Sequence, residues 1–158
     1  MVRNTQARDY QTDDKSVCLA IFDSNTPPYF DPSERSLFEK FLDATDGTYL
    51  VIEHDGDIVG CGGFAAEDDG QTISFTWGMV ERSYHKDGFG RFLTEARMAH
   101  IRQLDNVSAI RLNTTPDIAP FFQHMGFTEL SVEPDGYAPG MDKVEMVFKD
   151  YASVATDP

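Results

Sequence analysis

Apolar side chains fall into alternating helical and extended periods along the chain. Val17, Cys18, Ile21 and Phe22 recur at helical spacing behind Asp13 and Asp14, either of which can cap a helix ending near Asn25. Thr26-Pro-Pro-Tyr-Phe30 cannot be helical and predicts a loop. Asp31-Pro32-Ser33-Glu34 then reads as a capping box with proline at the first helical position, opening a helix with Leu37, Phe38, Phe41 and Leu42 on one face. Strands follow at Tyr49 to Glu53, Ile58 to Ala65 and Thr72 to Val80, joined by the turn signals Asp55-Gly56 and Asp68-Asp69-Gly70. Gly90 to Leu104 predicts a long helix with Phe92, Leu93, Ala96, Ala99 and Leu104 at its apolar positions. Ala109 to Asn113 is a strand, Pro116 to Met125 a short helix, and Phe127 to Val132 and Val144 to Phe148 are two last strands around a loop, Glu133 to Asp142.

With an opening strand at Val2 to Thr5, this order predicts an α/β (α+β) protein built on one mixed sheet rather than a regular doubly wound one. No repeat or linker divides the 158 residues. One domain over 1–150 and a frayed tail over 151–158 are therefore expected.

Composition narrows the function. The chain carries 13 basic and 27 acidic residues, a formal net charge of −14. Such a chain repels phosphate backbones, so nucleic acid is an unexpected partner and a cationic amine a welcome one. An acidic surface that simply keeps the protein soluble is the plainer alternative. The longest weakly polar stretch, Ile58 to Ala66, is too short to span a membrane. Neither the first nine residues nor the two cysteines suggest secretion. Cys18 and Cys61 read as buried thiols, and a cytoplasmic location is expected.

The chemistry is concentrated in Met79-Val-Glu-Arg-Ser-Tyr-His-Lys-Asp-Gly-Phe-Gly-Arg91. A strand ends, a glycine-containing loop follows and a helix starts, which aims backbone N–H groups and a helix dipole at one point. Arg82, Lys86 and Arg91 outnumber Asp87 there, against the acidic trend, so an anionic ligand is expected. The segment has neither the G-x-x-x-x-G-K-[ST] of a P-loop nor the third glycine of a dinucleotide fingerprint. His85-Lys-Asp-Gly88-Phe-Gly90 instead resembles the acyl-CoA loop of the GNAT N-acetyltransferase superfamily, [QR]-x-x-G-x-[GA]. Leu112-Asn113 and Phe122-Gln-His-Met-Gly126-Phe127 match that family's second half in the right order.

The resemblance implies a splayed, mostly antiparallel sheet of six to seven strands with about four helices, opened between the strands ending at Val80 and Asn113. It implies acetyl-CoA as co-substrate, with pantetheine along Met79 and Val80. The pyrophosphate would sit at His85, Lys86, Asp87, Gly88, Phe89, Gly90 and Arg91, and Asn113, Phe121 and Phe122 would approach the pantetheine arm from the other side. The implied activity is N-acetyl transfer to a small amine or basic peptide, and a homodimer is compatible with it. Two positions depart from the family. His85 replaces Gln or Arg, and Phe122 stands where relatives often have a proton-donating Tyr. Because of Phe122, and because the Thr72 to Val80 strand carries no carboxylate where relatives often place Glu, a catalytically degenerate acyl-CoA sensor is the alternative.

No catalytic residue is assigned. Glu53, Glu81, His85 and His124 are the candidate bases, with Ser74 and Thr76 as holders of a relaying water. Tyr29, Tyr84 and Tyr137 are the candidate acids. The histidines and cysteines have no metal-ligand spacing, so no metal is expected. Cys61 reads as a small buried strand residue rather than a nucleophile. On the acceptor side the resemblance points to the Thr26–Asp31 and Glu133–Asp142 segments, where Tyr29, Phe30 and Tyr137 could hold a cationic amine.

Overall fold

The computed structural model describes residues 4–148. Seven strands form one sheet: β1 (Thr5–Asp9), β2 (Thr48–His54), β3 (Asp57–Ala66), β4 (Thr72–Val80), β5 (Ala109–Thr114), β6 (Thr128–Ala138) and β7 (Met141–Phe148). Their spatial order is β1-β2-β3-β4-β5-β7-β6. β4 and β5 run parallel, with Thr72–Ser74 opposite Ala109–Arg111, whereas β1–β2, β2–β3, β5–β7 and β6–β7 are antiparallel. Four helices accompany them: α1 (Lys15–Ser24), α2 (Arg35–Asp43), α3 (Phe89–Ile101) and α4 (Ala119–His124). The mixed, mostly antiparallel sheet with four helices is the architecture expected. Val2 and Arg3 of the expected opening strand, and the tail over 151–158, lie outside the described residues; β1 itself begins at Thr5 and runs to Asp9.

The chain forms two compact units, residues 4–65 with 76–103, and residues 66–75 with 104–148. In the first, α1 contributes Cys18, Leu19, Ile21 and Phe22 to a core shared with Phe38 and Leu42 of α2, Tyr49 and Val51 of β2, Cys61 and Met79. Phe22 stacks on Phe30 at 4.8 Å and on Phe38 at 5.7 Å. Each fully buried Phe contributes roughly 1.5–3 kcal/mol. The capping box forms: Ser33 N donates to Asp31 Oδ2 and Asp31 N to Glu34 Oε2, both at 2.9 Å. It opens a 3-10 turn that leads into α2.

Leu37 does not join the buried face. It is 58% exposed, because α2 buries only the narrow stripe through Phe38 and Leu42, and Leu37 lies a full residue's rotation away. Val17 is exposed for the same reason on α1. Asp55 and Gly56 both take positive φ, +51° and +88°, as a two-residue hairpin turn requires. At the other end of the pair, β2 and β3 approach so closely that a Cβ on Gly63 would lie 2.0 Å from Thr48 O, and one on Gly47 2.2 Å from Phe64 O.

In the second unit, β5, β7 and β6 pair in that order, and Phe75, Phe121, Phe122, Phe127 and Phe148 form a chain of ring contacts. The expected Glu133–Asp142 loop is instead the end of a β6–β7 hairpin. Its Pro-Asp-Gly is absorbed by a register shift between Glu133 and Ala138, with Asp135 at φ +56°. Asp142 Oδ1 accepts from Asp135 N and Asp135 Oδ1 from Gly140 N, closing the hairpin. α4 is shorter than expected, since Ile118 N and Ala119 N turn back onto Thr115 O and the helix starts only at Ala119.

Candidate functional site

β4 delivers the chain to a short loop and then to α3. Glu81 N donates to Val59 O at 2.8 Å, the last tie to β3, and the Glu81 carboxylate caps the 3-10 turn Arg82–Tyr84 through Ser83 N. Lys86 and Gly88 both adopt left-handed backbone, φ +69° and +92°. Gly88 does so without penalty, and this reversal sets Phe89, Gly90 and Arg91 as the first turn of α3. Phe92 N is the first amide to find a carbonyl inside the helix, Gly88 O at 3.0 Å. The preceding amides stand at the positive end of the dipole, where helix geometry supplies no acceptor. Lys86, Asp87, Gly88 and Arg91 are exposed, while Phe89 is buried with Ile52, Val59 and Leu93 and anchors the helix start.

The Val80 carbonyl is a junction. It accepts from Asn25 Nδ2 at 2.9 Å and lies 2.8 Å from His85 Nε2. A carbonyl oxygen only accepts, so Nε2 carries the proton and a neutral His85 presents a lone pair at Nδ1. His85 therefore supports the loop from within and donates to an anion only as imidazolium. Asn25, 2% exposed at the end of α1, was missed by sequence reading; its signal is a lone amide just after a helix C-terminus.

The loop after α1 is tied to the same place. Arg82 Nη1 donates to Pro27 O at 2.9 Å, its guanidinium lies 5.7 Å from the Tyr29 ring centroid, and Tyr29 meets the His85 ring edge-on at 5.3 Å. The cation over Tyr29 is thus the chain's own Arg82, and Lys86 and Arg91 are the loop's other exposed cations. Arg91 also reaches Glu95 at 3.3 Å. Phe30, expected to face the acceptor, packs against Phe22 and near Trp77 as part of the core's edge.

The middle of β4 is held from inside the first unit. Trp77 has φ +39°, unusual for so bulky a residue, and its carbonyl accepts from Tyr49 OH at 2.7 Å. Gly78 is exposed. Arg97 of α3 lies behind it, 3% exposed: its Nη2 stands 2.7 Å from where a Gly78 Cβ would be, and its Nη1 is 3.4 Å from Gly63 O. A Cβ on Gly62 would stand 3.4 Å from the Arg97 Cζ. Burial lowers the Arg97 guanidinium to about 10, still charged at neutral pH. Sequence reading missed it by drawing the apolar face of α3 one residue out of phase. The buried positions are Phe89, Leu93, Thr94, Arg97, Met98 and Ile101, with Leu104 beyond the helix end and 43% exposed. The glycines at 62 and 78 were the available signal, since strands stripped of side chains leave room for a large one.

The first unit thus brings together Met79, Val80, His85, Lys86, Asp87, Gly88, Phe89, Gly90 and Arg91 on consecutive segments, with Tyr29 and Phe30 on the adjoining loop. Asn113, Phe121, Phe122 and Tyr137 belong to the second unit. There Asn113 is exposed and paired opposite Glu145, and Phe122 packs edge-on against Phe121 at 5.0 Å and Phe127 at 5.7 Å. Tyr137 sits in β6 with Lys143 Nζ 5.2 Å from its ring centroid.

Among the candidate bases, Glu53 is engaged by Gln6 and Arg8, Glu81 caps its turn, and His124 is exposed at the end of α4. Ser74 donates to Glu67, and Thr76 Oγ1 is buried without a hydrogen-bond partner among the described residues. Of the candidate acids, Tyr84 packs edge-on against Phe89 at 5.6 Å. Among the described residues no cluster of three or more His, Cys, Asp or Glu could hold a metal, and no helix is long and apolar enough to cross a membrane.

A mixed seven-stranded sheet whose fourth strand runs into a glycine-started helix is the frame of an acyl-transfer fold. The family description "Acetyltransferase (GNAT) domain" matches residues 45–129, more than half the chain, and the chain belongs to the GNAT acetyltransferase family. No curated protein matches in sequence. Among solved structures, a GNAT-family protein from Desulfovibrio desulfuricans superposes with TM-score 0.77 at 19% identity, covering 92% of this chain and 98% of its own. The ribosomal-protein-S18-alanine N-acetyltransferase of Escherichia coli gives 0.75 at 14%, covering 90% and 92%. YncA of Salmonella typhimurium, solved with its cofactor acetyl-CoA, gives 0.69 at 17%, covering 92% and 94%. At these identities the likeness is one of fold.

Proposed function

We propose that the protein is an acetyl-CoA-dependent N-acetyltransferase acting on an amine. The observation that carries this is the start of α3, where the amides of Phe89, Gly90 and Arg91 follow a left-handed, exposed Gly88 at the end of the loop that leaves β4. Amides so arranged suit a pyrophosphate, and Lys86 and Arg91 add positive charge beside them. The acetyl-CoA bound to the YncA fold supports the same donor.

In the reaction, the lone pair of the acceptor nitrogen attacks the thioester carbonyl and a C–N bond forms. The resulting oxyanion collapses, the C–S bond breaks, and the CoA thiolate takes up a proton while the nitrogen loses one. A thiol is a fair leaving group, with a pKa of about 8.5, so Phe122 in place of Tyr does not preclude turnover. The chain's net charge of −14 favours a cationic acceptor, a small amine or a basic peptide. The protein acceptor named for the Escherichia coli neighbour is consistent with the latter.

Phe122 also motivates a second reading, an acyl-CoA sensor without turnover. Release of CoA across a panel of amines, polyamines and basic peptides separates the two, since a sensor binds CoA and releases none. The binding site is tested by Gly88→Val and Gly90→Val. Calorimetry should show CoA affinity lost in both while circular dichroism stays that of the wild type; undiminished affinity in both refutes the site.

A further inference from the structure

We infer that Arg97 is a positioning residue for acetyl transfer: its buried guanidinium, packed directly behind the exposed backbone of Gly78, polarises the thioester carbonyl and stabilises the oxyanion formed from it. The inference deepens the reading above and rests on it.

Three observations meet at one point. The Arg97 side chain crosses from α3 into a slot left by Gly62 and Gly78, where a Cβ on either would come within 3.4 Å of the guanidinium, and its Nη1 lies 3.4 Å from Gly63 O. A Cβ at Gly78 would stand 2.7 Å from Nη2, so any side chain at 78 would displace the guanidinium from its place behind this peptide. Gly78 is exposed while Arg97 is 3% exposed, so a cation excluded from water stands one peptide thickness behind backbone open to a ligand.

The peptide concerned is positioned with care. Tyr49 OH holds the preceding carbonyl, Trp77 O, at 2.7 Å, and Trp77 itself is turned to φ +39°. Because Glu81 N points to β3, alternation along β4 directs the Gly78 and Val80 amides the other way. The Val80 carbonyl on that edge is already taken by Asn25 and His85, which leaves the amides of Gly78 and Val80 there as donors for a thioester oxygen, beside the Gly78 carbonyl. A fixed charge behind those donors, screened little by water, favours negative charge developing in front of them. Burying a guanidinium is expensive, and well-packed apolar residues often replace buried ions at no loss of stability. The stability of the fold alone therefore gives little reason for an arginine here.

The test uses acetyl-CoA labelled with ¹³C at the thioester carbonyl, bound to the wild type and to Arg97→Met, Arg97→Lys and Met98→Ala. Difference infrared spectra should place the carbonyl band at lower wavenumber in the wild type than in Arg97→Met, with Arg97→Lys returning part of the shift. Met98→Ala, which hollows the same helix face without touching charge, should lower the melting temperature and leave the band in place. Acetyl-CoA turnover by Arg97→Met should fall by about tenfold or more in kcat, with KM for acetyl-CoA nearly unchanged. An unshifted band in both Arg97→Met and Arg97→Lys, or a kcat loss that merely follows the melting temperature as in Met98→Ala, overturns the proposal. If the wild type binds no acetyl-CoA, the underlying reading fails first and this proposal with it. Should Arg97→Met not fold, Arg97→Lys and Arg97→Gln carry the same comparison.

Discussion

His85 Nε2 lies 2.8 Å from the carbonyl oxygen of Val80, so the side chain that opens the glycine motif is anchored to the end of the strand that precedes it. The loop is braced by its own first residue. Gln, one of the two residues of the resembled motif at this position, also has a donor for that carbonyl. His85→Gln should keep CoA affinity within about threefold of the wild type, and His85→Ala should weaken it by about fivefold, the worth of one ordinary hydrogen bond. Calorimetry of the two variants decides; equal losses would mean the ring acts on the ligand rather than on Val80.

Phe122 packs among Phe121, Phe127 and Phe75 without contributing a polar atom. Under the proposed reaction, Phe122→Tyr should leave CoA binding nearly unchanged and raise turnover, or extend its pH profile upward, by adding an acid with a pKa of about 10. The readout is kcat against pH for the best acceptor of the amine panel. A flat result, together with no loss from Tyr29→Phe, Tyr84→Phe or Tyr137→Phe, would show that thiolate departs unassisted.

The strand and loop proposed to hold the ligand were legible as elements because local signals there agree. β4 runs Thr72–Val80 as its apolar pattern predicts, and the glycines mark the turn into α3. The capping box at Asp31–Glu34 was equally plain, being a contact between residues three apart. The β6–β7 hairpin was hidden because Pro134, Asp135 and Gly136 are turn residues by composition, yet here they form a bulge that only the partner strand reveals. Arg97 was hidden for a different reason. A charged residue on a buried helix face makes sense only with the glycines of two other strands beneath it. Asn25 likewise acts on Val80, a residue distant in the chain.

Arg8 joins Asp14 at 2.9 Å and Glu53 at 3.0 Å. The guanidinium is the main cause holding the Asp14 carboxyl below its ordinary range; Gln6 and then Arg8 do the same for Glu53. Both carboxyls ionise more readily folded than unfolded. Their stabilisation is complete above the unfolded carboxylate range, about pH 4, and fades as pH drops through the folded values. Arg8→Gln should therefore lower the urea midpoint at pH 7 and flatten its decline between about pH 5 and pH 3. An undiminished slope would remove the network from the acid response.

Cys18 and Cys61 are both fully buried, and contact with Cys61 together with burial pushes the Cys18 thiol well up. Neither thiol should react with Ellman's reagent in the native protein except through opening of the fold, whereas both should react at once in denaturant. Prompt native labelling of either would place it in an accessible position.

The backbone contact between β2 and β3 at Gly63 and Gly47 has a consequence for mutational mapping. Any side chain at Gly63 would collide with Thr48 O, and any at Gly47 with Phe64 O. Saturation libraries scored by enzyme output would therefore rank these two positions beside Gly88 and Gly90, though neither belongs to the ligand loop. Intolerance at Gly47 and Gly63 reports whether a molecule exists to be assayed, while under the proposed site intolerance at Gly90 reports what that molecule can hold. Scoring the same library twice, once for abundance and once for ligand occupancy per surviving molecule, would sort the glycines of this chain into those two groups.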